Sequence, residues 1–270
     1  MSRALAAPAL MLSVLFGPAP ATAAAERLLI DRASLAAADA RCGLLDGPAR
    51  AALAAGVLQA RGALLRSGRE DAMVRRAEAA GARAGAARRC DDPALAADAG
   101  RAMAAISAWS QQQEMRFPAY GPGWAARRTQ TSAWRVMQTA AGPANATVGL
   151  VMLEDGPAFG FEVASDAASA TLIVRDRQLL GPDLVRPGAT PPAKATRRFL
   201  AALRRPAAPK TRRSPAEGTL FVFPAAALST LGALDPRDVA QVEIIRRDGS
   251  RSLYRFDVGD LAAARTFAAV

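Results

Sequence analysis

The hydrophobic positions of this chain follow two different patterns, one before and one after about residue 142. Before it, apolar residues recur at helical spacing in stretches rich in alanine and arginine. After it, short β-branched and aromatic runs alternate with polar residues between turn signals. A series of helices followed by a series of strands is typical of α+β proteins. We therefore predict a helical region over residues 26–141 and an antiparallel β domain with a C-terminal helix over residues 142–270.

Helix start and stop signals divide the first half further. One helix is predicted from Asp46-Gly47-Pro48 to about Gly68, a second from about Asp71 to Arg89, and a third from Asp92-Pro93. The short link between the first two predicts an antiparallel helical hairpin. A further short helix is predicted over residues 131–139, with Trp134 in the core.

The alternation of apolar with small or polar residues is clearest in the second half of the chain. Phe159, Phe161 and Val163 alternate with small or polar residues, which predicts a strand with one buried face. The turns at residues 154–157 and at Asp248-Gly249 predict hairpins. A closing helix is predicted after Gly259-Asp260.

The only two cysteines bracket the predicted hairpin. Cys42 lies just before its first helix and Cys90 at the end of its second. Antiparallel helices of similar length return the chain to its starting level, so the two sulfurs can meet. We predict a structural disulfide, worth about 4 kcal/mol in the chain-entropy model. A redox-active pair is the alternative, although the chain has no C-x-x-C motif.

The first 25 residues have the organisation of a secretory signal peptide. Arg3 is followed by an apolar stretch from Ala4 to Phe16 and then by small residues at 21–25. This predicts a periplasmic or secreted protein in an oxidising compartment, where disulfides persist. No later apolar run reaches 18 residues, so we expect no transmembrane segment in the mature chain.

The formal net charge is +11, and all but two of the 35 basic residues are arginine. Such a charge indicates an anionic partner, or simply the codon usage of a GC-rich genome, because the arginines are scattered. Export argues against nucleic acid as the partner. One segment, residues 186–215, concentrates nine basic residues and six prolines without an acidic one. It is either a basic arm that binds an anionic envelope component or a solvated, partly disordered insertion. Residues 196–203 could form two amphipathic turns. The candidate ligand-binding residues are Arg197, Arg198, Arg204, Arg205, Lys210, Arg212 and Arg213.

Residues 115–124 combine two prolines, two glycines and three aromatic residues, which excludes a regular helix. The aromatic residues are Phe117, Tyr120 and Trp124. They could form a ligand-binding loop, or a packed connection at the seam between the two halves.

Histidine is absent, which excludes Ser-His-Asp and Cys-His catalysis and argues against a metal site. No phosphate-binding glycine motif is present, and we expect no cofactor. Neighbouring acids at 70–71, 91–92 and 154–155 fit helix caps and turns. The isolated acids Glu114, Glu162 and Glu243 are weak candidates, and we predict no catalytic residue.

The overall layout resembles uncharacterised bacterial envelope proteins that carry a signal peptide. The last 50 residues are similar to the invasion-associated locus B family in several short segments: residues 221–224, Ala227-Leu228 with Leu231, residues 242–244, Asp248-Gly249, and residues 256–259 followed by an Ala-rich helix. This resemblance implies a small periplasmic β-sandwich without known catalytic residues. The favoured hypothesis is therefore an exported, non-catalytic envelope protein with a binding or structural role. The alternatives are a cell-wall polymer hydrolase that uses a carboxylate pair, and a binder of anionic lipid or lipopolysaccharide through residues 186–215.

Overall fold

The computed structural model describes residues 21–129, 133–181, 184, 186–207 and 218–269. Most of the predicted signal peptide, residues 1–20, lies outside this part of the chain. Four helices come first: α1 (Ala21–Cys42), α2 (Gly47–Arg66), α3 (Asp71–Ala87) and α4 (Pro93–Ser110). Eleven strands follow in the described part, interrupted by helix α5 (Ala225–Gly232) and closed by helix α6 (Leu261–Ala269).

The predicted helix boundaries are close to the observed ones, because the capping residues perform the expected role. The Asp46 side chain accepts a hydrogen bond from the Ala49 backbone N–H at 2.8 Å, and Asp92 accepts one from Ala94 at 2.9 Å. Each aspartate is followed by a proline in the first helical turn. The three predicted helices are therefore observed as α2, α3 and α4, whereas α1 was not predicted as a separate helix.

The disulfide is confirmed, and α2 and α3, which lie between its cysteines, are antiparallel as predicted. Cys42 and Cys90 are bonded, with their Cα atoms 5.5 Å apart. Helix α3 packs mainly on α1, and the two helices run parallel, since Gly81 meets Ile30 and Gly85 meets Ser34. Their C-terminal ends therefore lie together, and the cysteines with them.

The strands form two antiparallel sheets. Seven belong to the larger sheet, in the order β1-β2-β3-β4-β5-β9-β8, and four to the smaller sheet, in the order β11-β10-β6-β7. In the larger sheet the strands are β1 (Glu114–Phe117), β2 (Trp124–Arg127), β3 (Trp134–Ala140), β4 (Ala146–Leu153), β5 (Gly156–Val163), β8 (Leu203–Pro206) and β9 (Thr219–Phe223). In the smaller sheet they are β6 (Ala167–Arg175), β7 (Thr196–Leu200), β10 (Val239–Arg246) and β11 (Arg251–Asp257).

The sheets pack face to face through aromatic residues. Phe159 contacts Phe256, and Phe161 contacts Tyr254, with ring centroids 5.9 and 5.1 Å apart. Helix α6 extends this core towards the helical layer, because it packs against α2 on one side and β1–β3 on the other. The buried core accordingly runs from Ala55 of α2 to Phe267 of α6.

Three sequence expectations are wrong. Residues 133–139 do not continue a helix: β3 occupies Trp134–Ala140, with Val136, Gln138 and Ala140 buried. The boundary at residue 142 is consequently too late, since strands begin at Glu114. Residues 196–200 form β7, not amphipathic helical turns, because they pair with β6 at the edge of the smaller sheet.

One arginine joins the helical layer to the sheets. The Arg128 guanidinium lies against the rings of both Trp109 and Phe267, 4.3 and 4.2 Å from their centroids. It donates to the carbonyl oxygens of Ser110 and Phe267, near the C-terminal ends of α4 and α6. A cation is favourable at both positions because the helix dipole is negative there.

Candidate functional site

The described arginines of the basic segment are mostly paired within the protein. Arg197 binds Asp176 at 3.3 Å, Arg198 binds Glu243 at 2.6 Å, and Arg204 binds Asp166 at 3.1 Å. These side chains stand on β7 and β8, at the edges of the two sheets. Exposed ion pairs are weak, but each pair lowers the positive charge available to a ligand.

Arg205 is half-buried on β8, beside Arg204. The other candidates of this segment, Lys210, Arg212 and Arg213, lie outside the described residues. The structure therefore gathers only part of the predicted basic site.

The aromatic residues of the 115–124 segment occupy a tight β-hairpin. Phe117 and Trp124 are opposite each other on β1 and β2, and both are fully buried. The Trp124 indole N–H donates to the Val258 carbonyl oxygen at 2.8 Å. Only Tyr120 is exposed, and its hydroxyl donates to the Arg66 carbonyl oxygen at 3.1 Å. This arrangement is that of the packed connection.

The acidic neighbours have local structural roles. Asp91 pairs with Arg89 at 2.7 Å, Asp92 caps α4, and residues 154–155 form the turn between β4 and β5. Among the isolated acids, Glu114 pairs with Arg127 at 3.0 Å and Glu243 with Arg198. Glu162 is half-buried on β5.

A small cleft of about 170 Å³ between the helical layer and the sheets is lined by Asp71, Asp235 and Asp260. Each of these buried carboxylates already binds an arginine: Asp71 binds Arg61 and Arg75, Asp235 binds Arg237, and Asp260 binds Arg66. Burial raises the pKa of Asp260, and the hydrogen bond from Arg66 opposes this rise. A carboxylate that holds a guanidinium is poorly placed to donate a proton, so this cleft fits a structural junction better than a hydrolase site.

A larger groove opens within the helical layer. It has a volume of about 670 Å³ and lies between α1, α2 and α4. This volume is within the range of about 300–1,000 Å³ that is usual for small-molecule sites. We call it the helical groove. Its apolar lining consists chiefly of Leu28, Leu35, Leu53, Ala102, Ile106 and Trp109.

The groove exists because α4 is attached mainly at its two ends. Leu95 and Ala99, in its first half, are buried against α1 and α2. Trp109, near its last turn, contacts Phe267 and Arg128 of the sheet side. The residues between them on α4 are exposed or half-buried, which leaves the groove open to solvent.

Arg32 projects into this groove from α1. Its Nη1 donates to the Gly56 carbonyl oxygen at 2.6 Å, and its guanidinium lies against Gly56, where a Cβ atom would be 3.3 Å away. Burial lowers the pKa of Arg32. No carboxylate of the described residues forms an ion pair with it.

Sequence reasoning missed this site, although one signal was present. Leu28, Arg32 and Leu35 lie on one face of α1, at i, i+4 and i+7. An arginine within an apolar stripe indicates a charged side chain at a partly buried position. The residues of α2 and α4 that complete the groove could not be predicted, because their positions depend on tertiary packing.

Within the described residues, no group of acidic or cysteine side chains is arranged to hold a metal ion. No helix in the same part of the chain has the length and apolar character needed to cross a membrane. Comparisons with protein-family models, curated proteins and solved structures each found no match to this chain.

Proposed function

We propose that this protein is an exported envelope protein that binds an amphiphilic molecule in the helical groove without chemically changing it. The observation that carries the proposal is the groove itself, which has a volume of about 670 Å³ and combines apolar and charged side chains of the N-terminal layer. The predicted signal peptide and the disulfide support export, since disulfides persist in oxidising compartments.

The two alternative hypotheses have weaker support. A hydrolase needs carboxylates that face a cleft and can exchange protons, whereas the acids of the small cleft each bind an arginine. Binding of anionic lipid through residues 186–215 would have to compete with Asp166, Asp176 and Glu243 for the arginines of β7 and β8.

The groove is tested with a neutral apolar fluorophore, N-phenyl-1-naphthylamine, titrated into the oxidised protein. We expect saturable binding with enhanced fluorescence. Ala105 is exposed and lines the helical groove. Ala105→Trp should therefore fill the groove and weaken binding of the fluorophore about tenfold or more.

The matched control is Ala104→Trp, which places the same side chain on α4 at an exposed position that does not line the groove. It should bind the fluorophore as the wild type does. Equal effects of the two variants, or no saturable binding to the wild type, would overturn the proposal. Export is tested separately by the intact mass of the protein in an envelope fraction, where a chain that begins near residue 24 or 26 is expected.

A further inference from the structure

The charged groups of the helical groove are unevenly paired. Three arginines and two aspartates line it: Arg32, Arg88, Arg101, Asp31 and Asp98. Asp98 binds both Arg88 and Arg101, and Asp31 is exposed at the groove wall. Arg32 is thus the one half-buried cation of this lining without an ion pair among the described residues.

The guanidinium of Arg32 is held in a defined orientation. Gly56 has no side chain, so the guanidinium can lie directly against the α2 backbone, where its Nη1 is engaged by the Gly56 carbonyl oxygen. This leaves the edge formed by Nε and Nη2 without a hydrogen-bond partner in the described structure.

The same edge binds carboxylates elsewhere in this protein. Arg175 donates from Nε and Nη2 to the two oxygens of Asp238, both at 2.7 Å. Arg89 holds Asp91 in the same way, at 2.9 and 2.7 Å. Two parallel hydrogen bonds to a planar carboxylate are the strongest contact that this edge makes.

Apolar side chains line the same groove as this unpaired edge. Leu28, Leu35 and Leu53 line the groove from α1 and α2, and Ile106 and Trp109 line it from α4. A ligand that satisfies both features has one anionic group and an apolar chain.

We propose that the helical groove binds a single-chain carboxylate, of the fatty-acid class, with its head group on the Nε–Nη2 edge of Arg32 and its chain along the apolar lining. This inference rests on the proposed function and adds the chemistry of the ligand. A carboxylate at Arg32 would supply the ion pair that the half-buried cation lacks, and the chain would cover apolar surface now exposed to water.

The test compares three ligands with the same ten-carbon chain: decanoate, decanol and decyltrimethylammonium. Each displaces N-phenyl-1-naphthylamine from the oxidised protein. We expect decanoate to bind about tenfold or more tightly than the other two, the discrimination that a charged, bidentate hydrogen bond provides.

Arg32→Gln should bring the three affinities close together, because the amide cannot pair with a carboxylate as an ion. Arg32→Lys keeps the charge without the two-pronged edge and should retain part of the preference, so it remains informative if the glutamine variant does not fold. The matched control is Arg27→Gln, an exposed residue of α1 outside the groove lining, which should retain the full preference.

The outcomes separate the two proposals. Equal binding of the three ligands to the wild type would refute the carboxylate inference and leave the apolar groove standing. A preference for decanoate that persists in Arg32→Gln would also refute it. Failure of the fluorophore itself to bind would overturn the proposed function and this inference together.

Discussion

Replacing glycine by alanine should have opposite effects at two positions. These are Gly85, where α3 packs closely on α1, and Gly100, which is exposed on α4. Replacing glycine by alanine inside a helix normally stabilises it by about 1 kcal/mol, because the backbone loses less entropy on folding. Gly100 on α4 is exposed, and a methyl group there would meet nothing within 4 Å. Gly100→Ala should therefore increase the free energy of unfolding by up to about 1 kcal/mol.

Gly85 on α3 is the opposite case. A methyl group at this position would lie 2.6 Å from the Ser34 carbonyl carbon, whereas ordinary contacts are 3.4–4 Å. The obstacle is the backbone of α1, so the two helices would have to separate, and the Cys42–Cys90 bond at their shared end resists this. Overpacking costs about 1–3 kcal/mol, and a clash with backbone belongs at the upper end, about 2–3 kcal/mol, which exceeds the gain of about 1 kcal/mol in helix propensity.

We expect Gly85→Ala to lower the free energy of unfolding by about 1–2 kcal/mol and the melting temperature by roughly 2–8 °C. The assay is urea unfolding of the oxidised proteins, followed by far-ultraviolet circular dichroism. If Gly85→Ala proved as stable as the wild type, the close approach of α3 to the α1 backbone would be wrong. If Gly100→Ala were destabilising, the propensity argument itself would fail.

Three further predictions concern the disulfide, the bridging arginine and a buried carboxylate. Cys42→Ser should cost about 4 kcal/mol, because the bond closes a 48-residue separation; unchanged thermal stability would show that the bond does not constrain the unfolded chain. Arg128→Met should cost about 2–3 kcal/mol in urea unfolding, through lost hydrogen bonds and ring contacts, whereas the exposed Arg116→Met should be nearly neutral. The Arg50 hydrogen bond is the main cause of the lowered pKa of Asp39, so this carboxylate stabilises the fold above its unfolded pKa of about 4 and loses that effect as the pH falls through its folded value. The stability deficit of Asp39→Asn should shrink in acid, and a deficit that is independent of pH would contradict this.

The order and type of most elements could be predicted from the sequence, because their signals are local. Asp46 and Asp92 mark helix starts through their own side chains, and the alternation of Phe159, Phe161 and Val163 marks β5, in which all three are buried. The disulfide was also predicted, from the antiparallel course of the two helices between Cys42 and Cys90. The sequence did not show that α3 packs mainly on α1, which runs parallel to it.

The errors arose where tertiary contacts reverse the local signal. Strand β3 alternates, yet one of its buried positions is Gln138, which reads as polar in the sequence. Its Oε1 accepts a hydrogen bond from the Asp257 backbone N–H at 3.0 Å, which satisfies the buried amide oxygen. Likewise, the charge of Arg197 and Arg198 in β7 suggested a solvated segment, but pairing with β6 fixes an edge strand.

The helical groove could not be predicted because it, too, depends on tertiary contacts. The sequence drew attention to residues 186–215, because charge is concentrated there. The helical groove depends on three separate helices and on the absence of a side chain at Gly56. Only the position of Arg32 in an apolar stripe was visible beforehand.

The placement of α6 has a consequence for how the chain folds. Phe267 contacts Trp109 and Phe117, about 150 residues earlier in the sequence. During synthesis, the helices and the first strands therefore emerge long before the residues that cover their shared core. A chain shortened before Leu261 would leave this surface exposed, and proteases and chaperones would recognise it as incomplete. Helix α6, the last nine helical residues, is thus needed to cover the core and protect the chain from degradation.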